Sequence, residues 1–298
     1  MPPLAIKTLA AIIGGNGSAS QFLLDIYPDA VTAFSTRKLR SAQTECLRVR
    51  RSSDNEEKDI GFSGEWVDSL ALTTFCGSAD GFVTTWYDQS GKGRDAVQRI
   101  AAGQPRIVTA WVINRENGVP ALSLDGSSQN MLCSNSLSIA KGISFINAFT
   151  VVKQASLVSN AANIWTTFTS TGSARFSARL NSVIGTHQTL FRRNDGDASG
   201  FSSVSGNALS LACGCHSARY ALGNSVTYRN NVAGNSYTIP AGAGATANTD
   251  SKRAVELFSA NNSEYLRGSC AEIVVYAKDT DASRAEITTN QMTAFGVT

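Results

Sequence analysis

The sequence predicts an all-β protein, and three features of its 298 residues support that prediction. Residues 82–87 place aromatic and β-branched side chains on both alternating faces, which is typical of an interior strand covered on both sides. From residue 145 onward, short β-rich runs alternate with Gly, Asn and Ser at strand-and-turn spacing. The 25 glycines fit many short strands better than long helices. We therefore expect a β-sandwich with jelly-roll topology.

The segment 81–96 organises the predicted fold, because a strand runs there directly into a turn. Asp88 begins the turn, since an Asx side chain accepts hydrogen bonds from backbone amides ahead of it. Ser90, Gly91 and Gly93 can complete the turn, because glycine accepts a positive φ angle. The pattern therefore predicts a structural role for Asp88.

The run Tyr-Asp-Gln-Ser-Gly-x-Gly at residues 87–93 resembles the signature of the arabinofuranosidase B-type catalytic domain. That domain is a concanavalin A-like β-sandwich, and related sandwich domains occur in bacteriophage virion proteins. Residues 33–39 and 47–62 resemble the same group in the same order. The Val-Val-Tyr strand at 274–276, followed by Asp-x-x-Arg and a terminal helix, is similar to the ending of lectin-like laminin-G sandwiches. The resemblance implies a concanavalin A-like jelly roll.

The remaining elements follow from local patterns. A short helix or turn is expected after Pro28 and before the first strand. The mixed charges of residues 50–59 indicate a solvated hairpin, with a carboxylate cluster as the alternative. A second short helix is expected within 66–75, and a terminal helix over 279–295, where Ser283 and Glu286 have capping-box spacing. Strands are predicted at 47–49, 104–108, 120–124, 148–152, 164–168, 175–180, 208–213, 218–222, 225–228, 254–258 and 272–276, with a surface loop at 238–247.

The chain is expected to form one sandwich domain at 23–298, preceded by an N-terminal arm and hinge at 1–22. Lys7 interrupts the short apolar run of that arm, so we favour a docking arm over a signal peptide. With 16% charged residues and a net charge of +3, the sequence predicts no nucleic-acid surface. Its apolar runs are shorter than the ~20 residues of a membrane helix, so no membrane partner is expected.

The six cysteines are scattered through a chain that is long enough to build its own core. We expect buried free thiols, with a disulfide framework as the alternative. Cys213 and Cys215 would share one face of a strand beside His216, but the other ligands of a zinc site are missing at the required spacing. No metal site and no cofactor are predicted, although the resemblance leaves a Ca²⁺ ion in a loop open.

Retaining glycoside hydrolysis needs two carboxyl groups, one as nucleophile and one as acid/base. The resemblance implies a Glu on a mid-domain strand and an Asp in a Gly-Gly-Asp-Asn turn before a late strand. That turn corresponds to residues 259–263 here, which puts Asn261 at the acid position, and an amide cannot protonate a leaving group. Residues 145–255 contain no Glu. His187 and His216 lie outside any nucleophile motif, so the sequence predicts no catalytic residue and no enzyme.

A carbohydrate surface remains a candidate binding site. Four aromatic rings could stack on sugars, namely Trp86, Tyr87, Trp111 and Trp165, although rings on sandwich strands belong to the core more often. The residues proposed for such a surface are Trp86, Tyr87, Asp88, Trp165 and Asn261.

Together these features lead to the hypothesis of a non-enzymatic bacteriophage virion protein, as a capsid decoration, head-fibre or tail component. The expected partners are other virion proteins bound through the arm, further copies of the chain, and host-surface glycans. The expected location is the virion, after synthesis in the host cytoplasm. The alternatives are a carbohydrate-binding adhesin and a secreted α-L-arabinofuranosidase.

Overall fold

The computed structural model describes residues 22–155, 161–181, 186–198, 200–205, 213–238 and 244–298. The helices are α1 Leu23–Ile26, α2 Ser69–Cys76 and α3 Asp281–Ala294, with one 3₁₀ turn at Ala101–Gly103. The strands are β1 Thr32–Ser35, β2 Glu45–Arg51, β3 Glu57–Ser63, β4 Trp66–Val67, β5 Gly81–Trp86, β6 Ala96–Val97, β7 Arg106–Thr109, β8 Val112–Ile113, β9 Arg115–Glu116, β10 Val119–Pro120, β11 Leu122–Asp125, β12 Met131–Cys133, β13 Phe145–Gln154, β14 Ala161–Phe168, β15 Ala174–Asn181, β16 Thr186–Phe191, β17 Gly200–Ser205, β18 Gly214–Ala221, β19 Asn224–Arg229, β20 Val232–Thr238, β21 Glu256–Leu257 and β22 Arg267–Tyr276.

These strands confirm the predicted all-β jelly-roll-like fold, and β22 occupies its centre. β22 pairs antiparallel with β1, β11 and β13. β13 continues this layer into β18, β19 and β20. A second run, β14–β15–β16–β17, is also antiparallel and joins β21 at its β14 edge. The main hydrophobic core lies between these layers, and Phe34, Trp86 and Trp165 are among its residues.

The segment that follows β5 holds the first strand in place. The side-chain amide of Gln89 donates to the carbonyl oxygens of Ser35 and Arg37, each at 3.0 Å, and its Oε1 accepts from the Leu39 amide at 2.7 Å. Asp88 Oδ1 accepts from the amides of Ala33 and Ser90. The predicted Asx turn is therefore confirmed, and the signature at 87–93 attaches β5 to β1.

A buried ion pair joins the central strand to the C-terminal helix. Glu272 on β22 is fully buried and accepts from Arg37 Nε at 2.7 Å and from Ser35 Oγ at 2.8 Å. Gln291 of α3 donates to the same carboxylate at 3.1 Å, and Asn290 accepts from Arg37. Because Arg37 binds both carboxylate oxygens and Ser35 and Gln291 add further donors, the charge of Glu272 is compensated in the interior.

Several local predictions differ from the structure. The first helix ends at Ile26, so it precedes Pro28 instead of starting there. α3 begins at Asp281, two residues before the expected cap, and Ser283 Oγ bonds back to the Thr280 carbonyl. The predicted strand at 254–258 is reduced to β21. β16, β17 and β20 were missed because Thr, Ser, Gln, Asn and Gly interrupt their apolar residues, so these strands lack the apolar alternation that reveals a strand.

Some predictions concern residues outside the described ranges. These are most of the arm at 1–22, part of the strand at 208–213 and part of the loop at 238–247. The domain boundaries therefore stay predictions. Within the described ranges, no helix is long and apolar enough to cross a membrane.

All six cysteines are free thiols, as predicted, and all but the half-buried Cys213 are fully buried. Burial raises the pKa of the Cys76 thiol to about 11 and that of Cys213 to about 12. Burial likewise raises the pKa of Cys46, Cys133 and Cys270. The thiols are therefore protonated, which makes them poor nucleophiles and poor metal ligands.

A stacked pair of histidines lies between β16 and β18. The rings of His187 and His216 are parallel within 15°, with centroids 3.6 Å apart. Burial lowers the pKa of His187 to about 3, and the positive charge of Arg229 adds to this effect. Burial also lowers the pKa of His216 well below 6.5, with further contributions from His187 and Arg229. Both rings are consequently neutral in the folded protein at neutral pH.

The histidine pair predicts a loss of stability in mild acid. The folded-state pKa values lie below the unfolded value of 6.5, so the unfolded chain binds protons first as the pH falls. The free energy of unfolding should decrease from about pH 6.5 towards about pH 3. Between about pH 7.5 and about pH 5, we expect the decrease to be roughly 4 kcal/mol larger in the wild type than in a His187→Asn/His216→Asn variant, or about 2 kcal/mol for each ring, by urea denaturation. Equal decreases in the two proteins would refute this origin of the acid sensitivity.

Candidate functional site

Polar side chains cluster on the face of β14 that points away from the main core. Ser177 Oγ on β15 donates to Asn163 Oδ1 at 2.5 Å and accepts from Thr166 Oγ1 at 3.1 Å. The register of β14 against β15 shifts between Asn163 and Trp165, and such a bulge re-aims side chains. Asn163 and Thr166 therefore converge on one hydroxyl, and the intervening Trp165 points into the core.

Glu256 lies directly opposite Thr166 in the β14–β21 ladder, so the two side chains share this face. Glu256 is only 1% exposed. Its carboxylate accepts from the backbone amides of Asn261 at 2.9 Å and Asn262 at 3.1 Å, and from Asn130 Nδ2 at 3.1 Å. Ser259 Oγ is a fourth donor. All four partners donate, which matches an ionised carboxylate, a group that only accepts.

Glu264 is the second carboxylate of this face, and it is exposed to solvent. Asn163 Nδ2 donates to Glu264 Oε2 at 2.9 Å, and the Asn163 amide donates to the Glu264 carbonyl at 3.1 Å. Arg179, the β15 partner of Asn163, lies near enough for the Glu264 charge to oppose the lowering of its pKa by burial. Glu264 and Glu256 are thus anchored to the same short stretch of β14.

The turn that joins these glutamates has an unusual backbone. Phe258, Asn261, Asn262 and Glu264 have φ angles of 70°, 56°, 54° and 52°. Asn tolerates this left-handed region, but Phe and Glu do not favour it. Non-glycine residues remain in such conformations only where the surrounding contacts enforce them, and they concentrate at functional sites. The four donors to Glu256 supply such contacts.

The electrostatic environment of the turn also affects Tyr265. Burial raises the pKa of Tyr265, and the negative charges of Glu256 and Asp125 raise it further. Asp125 closes β11 and accepts from the amides of Ser127 and Ser128. The site therefore joins one exposed glutamate, one enclosed glutamate, amide side chains and a phenol. In the described part of the chain, no group of three or more His, Cys, Asp or Glu could hold a metal ion.

The residues predicted for a carbohydrate surface do not lie together on one surface in the structure. Trp86 and Trp165 are both 0% exposed, so neither ring offers a face to a ligand. Asp88 is buried in its turn, and the Tyr87 hydroxyl donates to Asp59 on β3. Asn261 alone belongs to the cluster described above, where its side chain is exposed and its amide binds Glu256.

Sequence reasoning missed both glutamates. Residues 145–255, where the resemblance implies a mid-domain Glu, contain none, and Glu256 lies one residue beyond that range. A usable signal was present, because the Asn-Asn turn at 261–262 is flanked by a Glu on each side. The bulge in β14 and the hydrogen bonds to Glu256 are long-range features that no local pattern contains.

Comparison with known proteins supports the same class of fold. Residues 25–117 match the model of a family described as "Alpha-L-arabinofuranosidase B, catalytic". A crystal structure of an arabinofuranosidase complexed with arabinofuranosyl-alpha-1,2-xylobiose is similar over 89% of this chain and 63% of that chain, with 17% identity and a TM-score of 0.60. A GH54 α-L-arabinofuranosidase soaked with a cyclic sulfate inhibitor gives the same coverage and identity, with a TM-score of 0.55.

The resemblance to the arabinofuranosidase B catalytic domain is therefore confirmed over residues 25–117. The chain spans 63% of the length of the two arabinofuranosidase structures. No match was found among curated proteins. The prediction of a non-enzymatic virion protein is wrong, because the family model and both solved structures are those of glycoside hydrolases. The similarity to bacteriophage virion proteins finds no support in these matches.

The role of Glu256 in holding the turn leads to a stability prediction. Glu256→Ala removes the acceptor of four donors, and unsatisfied buried donors cost about 1–3 kcal/mol each unless water reaches them. We expect a loss of about 2–4 kcal/mol in urea denaturation and faster hydrogen exchange at the Asn261 and Asn262 amides. Glu264→Ala is the matched control, because Glu264 is exposed and should change stability by less than about 1 kcal/mol. Unchanged exchange at these amides in Glu256→Ala would contradict the assignment.

Proposed function

We propose that this chain is a glycoside hydrolase that acts on α-L-arabinofuranosides. The observation that carries the proposal is the anchoring of two glutamates, Glu256 and Glu264, to the same stretch of β14 on either side of a strained turn. The family match and the structural similarity to arabinofuranosidases support the substrate class.

The two glutamates differ in ways that suit different roles. Glu264 is exposed, so its carboxyl can exchange a proton with solvent, as a general acid/base must do in each cycle. Glu256 is enclosed among donors that fix the position of a negative charge. Because Glu256 is only 1% exposed, it does not attack the sugar itself; its fixed negative charge acts through space on the positive charge that develops on the sugar ring in the oxocarbenium-like transition state. The leaving-group oxygen takes its proton from Glu264, and a water molecule gives its hydroxyl to the anomeric carbon and its remaining proton back to Glu264. We assign the acid/base role to Glu264 and the anionic role to Glu256.

Substitution of Glu264 tests the acid/base role. Glu264→Gln keeps the shape and the bond from Asn163 but cannot transfer a proton, so we expect kcat to fall by about 100-fold or more. The loss should be greater for an arabinofuranosyl-xylobiose than for 4-nitrophenyl arabinofuranoside, whose leaving group needs little protonation. Glu45→Gln, a substitution of another exposed glutamate, is the control and should retain full activity. Undiminished release of arabinose by Glu264→Gln would remove Glu264 from the mechanism.

Asn261 provides an independent test of the same assignment, because the sequence resemblance places the acid at that position. If Glu264 is the acid, Asn261→Asp adds a carboxyl that the reaction does not need, and kcat should not rise. The double variant Glu264→Gln/Asn261→Asp should be as inactive as Glu264→Gln alone. Asn262→Asp, which adds the same charge at the neighbouring residue, is the control for Asn261→Asp. Restored activity in the double variant would place the acid at residue 261 and refute the role of Glu264.

A further inference from the structure

Trp111 is exposed in a hairpin turn whose two central residues both have a positive φ angle. The turn between β7 and β8 has two central residues, Ala110 and Trp111, with φ angles of 40° and 70°. Two-residue hairpins with positive φ at both positions strongly prefer Asn-Gly and similar pairs. Here a bulky aromatic residue occupies the position where glycine is favoured, and its side chain is 60% exposed.

Specific contacts hold this turn in its strained form. The Ala110 amide donates to Asp80 Oδ1 at 3.1 Å, and the Trp111 amide donates to the Gly77 carbonyl at 2.9 Å. Gly77 ends α2 with a positive φ, and a side chain at that position would meet the edge of the indole ring at 3.6 Å. The tryptophan is therefore presented by a fixed backbone, with the ring resting over a residue that leaves space for it.

The indole ring forms one wall of an open depression of about 390 Å³. Leu70, which is 76% exposed, and Val112 provide further apolar surface. Thr73 and Arg115 contribute polar groups, and Arg115 donates to Ser69 Oγ at 3.4 Å. None of these lining residues belongs to the Glu256 and Glu264 cluster, so the depression is a separate surface.

We infer that this depression is a carbohydrate-binding subsite in which Trp111 stacks on a sugar ring of an oligosaccharide. A sugar has an apolar face of C–H groups and a rim of hydroxyls, which match an exposed indole beside a guanidinium and hydroxyl side chains. Arg115, Ser69 and Thr73 place hydrogen-bonding groups beside the indole ring, which the hydroxyl rim of a sugar can use and which the apolar face of a helix or an acyl chain cannot. The positive φ angle of Trp111 is unfavourable for a bulky residue, and such strained residues concentrate at functional sites, which also favours a binding role.

The experiment measures binding without cleavage, so its outcome is separate from that of the proposed hydrolase. Soluble arabinoxylan is titrated into the full-length Glu264→Gln protein by calorimetry and by tryptophan fluorescence. Trp111→Gly is the main variant, because glycine adopts the positive φ at no cost and the fold is retained. We expect its affinity to fall roughly tenfold or more, as for other aromatic anchors, and Trp111→Tyr to retain most of the binding. Ile100→Ala, which removes an exposed apolar side chain elsewhere, should bind normally.

Each outcome bears on the inference. Weakened binding in Trp111→Gly together with normal binding in Ile100→Ala supports the subsite, even if the wild-type protein releases no arabinose. Equal affinity of Trp111→Gly and the parent protein would overturn it. Binding of phosphatidylcholine vesicles that depends on Trp111, with no binding of arabinoxylan, would also overturn it and would identify a lipid surface.

Discussion

The buried ion pair between Glu272 and Arg37 is the interaction on which the rest of the fold depends. The Glu272 carboxylate lies at the centre of β22, the strand that pairs with β1, β11 and β13, and it is fully buried. It accepts from Ser35 at the end of β1, from Arg37 two residues further along the chain, and from Gln291 of the C-terminal helix. Removing one partner of a buried pair leaves a charge without compensation, at a cost of about 3–5 kcal/mol. The β1 segment and the C-terminal helix α3 are therefore joined through one central charge.

The second attachment is the segment after β5, and it explains why the signature at 87–93 is informative. Gln89 and Asp88 use their side chains to bind the backbone around β1, so these residue types are required at these positions. The motif thus encodes a contact between strands far apart in sequence. It identifies the scaffold but contributes no group to the Glu256 and Glu264 site. The wrong functional prediction came from the acids, because residues 145–255 contain no Glu and the resemblance places Asn261 at the acid position.

The sequence was sufficient for the sandwich, the strand at 81–86 and the Asx turn, because apolar alternation and turn chemistry are local signals. It was insufficient for the polar strands β16, β17 and β20, whose stability comes from neighbours in the sheet. The candidate site depends on the bulge in β14 and on a turn folded over Glu256, and both are consequences of tertiary packing. Trp86 and Trp165 show the same limit, since an aromatic residue on a strand carries no local mark of which side it faces.

The reactivity of the six free thiols can be used to follow the unfolding of this protein. With five of them enclosed and the pKa of the half-buried Cys213 raised to about 12, the native protein should react slowly with alkylating reagents at neutral pH. Because the five enclosed cysteines lie in β2, α2, β12, β18 and β22, with Cys213 directly before β18, the order in which they become modified would show which elements separate first. No engineered label is needed to follow the unfolding of this sandwich strand by strand.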